Sequence, residues 1–146
     1  MKALAARMGE STRQSWVRPV ILLGIGYALV GIVFALPATH VQAWRLGAWV
    51  VSLIGYAAHI GYERFRLQNS ARSAALHVAF AVALGAFGLA VGANIHSLFI
   101  ASPSQHRQLL RLSLGIWPVI TALPAFLVAL AANVVLARVF GSVHGK

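Results

Sequence analysis

The chain has 146 residues, 60% of them hydrophobic and only 10% charged, with a mean hydropathy of +0.80 and a formal charge of +10. A soluble domain of this length carries roughly 25% charged residues, so the composition excludes an ordinary water-soluble globule. There is no Cys and no Asp, and Glu10 and Glu63 are the only acids, which removes disulfides, thiolate ligands, cysteine nucleophiles and Ser-His-Asp catalysis.

Four apolar stretches, near 19–36, 43–62, 74–101 and 112–139, each reach the roughly 20 residues needed to cross a hydrocarbon core about 30 Å thick. They predict an all-α integral membrane protein, multi-pass and of the bacterial inner or plasma-membrane type. Four transmembrane helices, over about 19–36, 40–66, 71–100 and 103–140, form an antiparallel bundle and a single domain, 19–140. A basic cytoplasmic lead, 1–18, precedes it and a cytoplasmic tail, 141–146, follows; no remaining segment is long enough for a water-soluble domain. The basic residues lie at helix ends and do not interleave with aromatics as a nucleic-acid surface requires, so no nucleic-acid partner is expected. With the N-terminus cytoplasmic, nine Lys/Arg fall inside and three (Arg45, Arg107, Arg111) outside, which predicts N-in, C-in.

The first helix opens at Pro19, suited to a first helical position, and closes before Pro37. A cleavable leader is the competing reading, with Val41-Gln42-Ala43 as its small-residue site, but the apolar run from Pro19 to Leu36 exceeds the 7–15 residues of a typical signal core. Gly24, Ala28 and Gly31 form a small-residue stripe for close helix packing. Thr39-His40-Val41-Gln42 reads as a capping box that starts the second helix near His40.

On the second helix, Arg45, Trp49, Ser52, Tyr56, His59, Glu63 and Arg66 follow one another at steps of three and four, a single polar stripe on an otherwise greasy cylinder. In a bilayer such a stripe turns toward protein. The chain is read as organised around this helix. The link 67–70 is short, with Ser70 or Ser73 as the next N-cap, so helices two and three make a tight antiparallel hairpin. Helix three carries a second small-residue stripe, Gly85, Gly88 and Gly92. Ser102-Pro103-Ser104-Gln105 is another capping box, and helix four contains Pro118 and Pro124, whose freed carbonyls need partners such as the Thr121 hydroxyl. Gly24–Gly31 echoes Gly85–Gly92 and Leu46–Val51 echoes Leu114–Val119, as two duplicated hairpins would.

The constellation with most chemistry is His59, Glu63 and His77. The first two are neighbours on one helical face, and the hairpin brings His77 to a similar depth, near the cytoplasmic side. Glu63 lies in the last turn of its helix, where the dipole disfavours an anion. Arg64, Arg66 and Arg72 are adjacent cations, and the histidines can hydrogen-bond across the hairpin. The alternatives are a two-His, one-carboxylate metal site or a proton-handling pair. For haem, with His40 and His96 as a second pair, neighbouring helices 8–10 Å apart leave too little room between facing histidines. The preferred reading is a non-enzymatic structural or accessory subunit with no favoured cofactor. It sits in the lipid bilayer as a homo-oligomer or in a larger membrane complex and packs through its Gly/Ala faces. Its rival is a metal- or haem-binding redox or transport protein.

Overall fold

The computed structural model describes residues 16–35, 39–99 and 104–141. They form four helices: α1 (Val17–Ala35), α2 (Val41–Phe65), α3 (Ala71–Phe99) and α4 (Ser104–Gly141). The lead up to residue 15, the Ser102-Pro103 part of the second capping box and the tail beyond 141 lie outside the described residues. Three helices are long and apolar enough to cross a membrane: α1, α3 and, from His106 to Phe140, α4. The second helix, expected to qualify like the others, does not. Its 25 residues are ample in length, about 38 Å, but Arg45, His59, Glu63 and Arg64 lower its hydropathy.

Contacts define an up-and-down bundle. Trp16 meets His77, Gly24 meets Leu84 and Gly31 meets Leu89, so α1 and α3 run parallel. Asn94 bonds Leu110, while Ala75 and Val78 pack with Ala129, so α3 and α4 are antiparallel. Phe34 meets Trp44 and Gly55 meets Tyr27, which makes α1 and α2 antiparallel.

The central element is α3, not α2. It packs along α4 and α1, whereas α2 touches each of the other three helices only sparingly. The reason lies in side-chain size: Ala74, Ala75, Ala79, Ala81, Gly85, Ala86 and Ala90 are all buried on α3, and small residues on several faces let backbones approach from several sides. The inequality between the α3–α4 and α1–α2 pairs also departs from the equivalence that duplicated hairpins would show.

The two Gly/Ala stripes meet each other within the chain. A Cβ on Gly85 would lie 2.6 Å from Tyr27 Cβ and 3.2 Å from the Gly24 carbonyl oxygen; one on Gly88 would lie 2.9 Å from Ala28 Cβ. Gly24 and Gly31 accept Leu84 and Leu89 in the same way. Gly24, Gly31, Gly85 and Gly88 are thus occupied by α1–α3 packing. Gly92 is the loose end, its nearest neighbour Ile32 Cδ1 at 4.0 Å.

Helix ends follow the sequence in part. Ser70 caps α3, its Oγ accepting the Ser73 N–H at 3.3 Å. The Thr39 box does not form: the residue before α2 is His40, in the left-handed region at φ 53°, with no side-chain cap bond. Pro19 stands in the first turn of α1, two residues after its start, where a missing N–H costs nothing. Helix α4 runs unbroken through Pro118 and Pro124. The carbonyls freed by those prolines belong to Leu114 and Ile120, yet Thr121 Oγ1 donates to Trp117 O and Pro118 O, at 2.9 and 3.1 Å. It therefore bonds back along its own helix and leaves the freed acceptors aside.

Candidate functional site

Where α2 ends and α3 begins, polar side chains meet inside the apolar bundle. Glu63 is fully buried there, and the chain holds it from two directions. The link turns back through Gln68 at φ 51°, so the Asn69 N–H donates to the Glu63 carbonyl at 3.3 Å and Asn69 Nδ2 donates to Glu63 Oε2 at 2.7 Å. From α3, His77 Nδ1 lies 3.0 Å from the same Oε2, while its Nε2 lies 3.5 Å from Ser73 Oγ. The Nδ1 tautomer that donates to the carboxylate leaves Nε2 to accept from the serine hydroxyl. Trp16, just ahead of α1, stacks flat on the His77 ring, with centroids 4.6 Å apart and 1° between planes. Two helices and the link therefore converge on one carboxylate, and Trp16 covers the histidine that holds it.

The third expected member stands apart. His59 Nε2 is 3.7 Å from Glu63 Oε1, beyond hydrogen-bond range, and both His59 nitrogens and Oε1 are buried without a partner. The structure thus brings His59, Glu63 and His77 together, but the histidines address different carboxylate oxygens. Among the described residues no group of three His, Cys, Asp or Glu side chains could hold a metal ion. His40 and His96 are exposed, toward the opposite ends of their helices from His59 and His77. The groups that face the Glu63 carboxylate are His59, His77 and Asn69, and the neighbouring arginines do not supply its countercharge.

Beyond this cluster α2 stands off from α3 and α4. Tyr56 is the last tie to α4, its hydroxyl donating to the Ala125 carbonyl and its ring packing against a core of Ile60, Ala75, Val78 and Ala129, while Gly47 and Trp44 keep the outer half of α2 against Phe34 of α1. Past it opens a cleft of about 430 Å³ between α2 and the other three helices. Arg45, Trp49, Ser52 and Tyr56 form its α2 wall, with Tyr27 and Trp117 opposite. The polar stripe turns inward in part: four members line a cleft, Arg45 and Trp49 at its exposed edge, two, His59 and Glu63, enter the buried cluster, and Arg66 stays exposed. Tyr27 adds a buried hydroxyl with no partner.

Sequence reasoning missed Asn69 and Trp16. Asn69 sat in a link read only for its length. Trp16 precedes the first apolar run, and its one signal was that an aromatic ring there falls at the same end of the bundle as His77. No family model, curated protein or solved structure matches this chain.

Proposed function

We propose that this chain is a four-span, multi-pass membrane protein, N-in and C-in, that works without catalysis as an accessory or scaffold subunit. The observation that carries the reading is how Glu63 is used. It is the only acid among the described residues, and it is buried and bonded to Asn69 and His77, fastening the α2–α3 turn. A carboxylate spent on holding two helices and a link together is a structural clamp. The outer surface supports the membrane setting: Leu22, Leu29, Leu53, Leu98, Val119 and Leu123 are all more than half exposed, on all four helices. Because Gly24, Gly31, Gly85 and Gly88 are occupied within the chain, a partner subunit meets these outward apolar faces instead.

Two measurements test this reading. Reporter fusions at residue 2, in the link 67–70 and after residue 146 should all report the cytoplasm, as nine basic residues against three require; a periplasmic signal from the link rejects the four-span arrangement. Protein extracted from its membrane in mild detergent should run at a mass above that of the 15.5 kDa chain plus its detergent. A purely monomeric species rejects the subunit role.

A further inference from the structure

The cleft beside α2 is amphipathic from one end to the other. Its α2 wall begins at Arg45, one turn into the helix, and ends at Tyr56, eleven residues and about 16 Å further on. Between them the lining is mainly apolar, with Trp49 at the rim, 76% exposed, and Trp117 across from it. Arg45 is the one charged residue on the lining, and among the described residues it forms no ion pair. Glu63 is committed to the buried clamp, and on the N-in reading Glu10, the only other carboxylate side chain, belongs to the cytoplasmic lead, across the bilayer from Arg45. An anion that meets Arg45 in the cleft therefore comes from outside the chain.

Size narrows the occupant. At about 430 Å³ the cleft falls in the range of small-molecule sites, roughly 300–1,000 Å³. We propose that it binds one single-chain anionic amphiphile of the fatty-acid type, drawn from the bilayer. The carboxylate lies on the Arg45 guanidinium and the alkyl chain runs inward past Ser52 toward Tyr56. Charge matches at the Arg45 end, where a planar guanidinium suits a carboxylate, and the slot beyond it is apolar and takes most of an extended long alkyl chain. The proposal goes beyond the accessory-subunit reading and stands whether or not the chain has a protein partner.

The test uses the full-length protein in phospholipid nanodiscs, with brominated octadecanoate as the probe and brominated octadecanol as its uncharged counterpart. Bromine quenches tryptophan at contact, and Trp49 and Trp117 report from the cleft. The expected result is a saturable quenching component at one acid per chain, above a background that grows in proportion to bulk probe. Arg45→Ala should weaken the acid about tenfold, the loss of one charge-assisted contact, and leave the alcohol unchanged; Arg45→Lys should recover part of it. Ala48→Phe, which narrows the cleft from α2, should remove saturable binding of both probes while circular dichroism shows a folded protein. If Ala48→Phe does not fold, the Arg45 pair decides the matter alone, because that position is exposed. Quenching that never saturates, saturation untouched by Ala48→Phe, or equal acid affinity in Arg45→Ala would each overturn the proposal.

Discussion

Replacing Gly85 by Ala adds one methyl group at the least yielding point of the α1–α3 contact. An ideal Cβ there lies 2.6 Å from Tyr27 Cβ, 3.2 Å from the Gly24 carbonyl oxygen and 3.5 Å from the Ala28 nitrogen. Two carbons rest at about 3.5–4.0 Å, so the helices must separate by roughly 1 Å. The obstruction is a Cβ and backbone, which cannot swing aside as a side-chain tip can. Separation also loosens Leu84 on Gly24 and Ala28 on Gly88, contacts of the same seam. In lipid this contact is a main source of helix association, since burying apolar surface from tails gains little. Overpacking of this kind costs about 1–3 kcal/mol. The internal control is Gly92→Ala, where the nearest atom is Ile32 Cδ1 at 4.0 Å and the added methyl fits without movement. Thermal or denaturant unfolding in one detergent should therefore lower the midpoint for Gly85→Ala and leave it in place for Gly92→Ala. Equal midpoints for the two variants would refute the close α1–α3 seam, because nothing else in their surroundings makes Gly85 the more sensitive.

Two further substitutions probe the polar contacts. In double-mutant cycles, Glu63→Gln should couple more strongly to His77→Ala than to His59→Ala, by at least about 0.5 kcal/mol, because His77 bonds the carboxylate at 3.0 Å and His59 stands off at 3.7 Å; stronger coupling to His59 would reverse the assignment of roles. Tyr56→Phe should cost about 0.5–1.5 kcal/mol of unfolding free energy by removing the α2–α4 hydrogen bond to Ala125, and an unchanged stability would mean the hydroxyl is not bound there.

The architecture was legible in the sequence where one helix suffices to state it. Apolar runs bounded by Pro19 and Pro37 mark α1, and the three-four spacing from Arg45 to Glu63 indicates which face of α2 turns inward. Small-residue stripes likewise identify surfaces able to pack closely. A stripe names a face and not its neighbour, so Gly24 against Leu84 and Gly88 against Ala28 could be found only in three dimensions. The same limit explains why α2 was read as the organising helix. Its polar residues are conspicuous in the sequence, whereas the alanines that make α3 central differ little from the rest of an apolar chain. The meeting of His59, Glu63 and His77 followed from the short link. The choice between arginine and Asn69 as the partner of Glu63 did not, because it depends on the left-handed turn at Gln68.

The central place of α3 sets packing order against chain order. During synthesis α1 and α2 emerge first, yet their mutual contact is slight, and the face of α1 that packs most closely is shaped for a helix not yet made. His59 and Glu63 are also complete before His77 exists, so until the second hairpin arrives an acid near the end of α2 lacks its histidine bond. The first half of the chain alone therefore leaves surfaces unmatched that only α3 completes. A chain interrupted after the first hairpin would expose an uncovered glycine seam and a partly bonded carboxylate together, two features by which membrane quality control could tell it from the finished bundle.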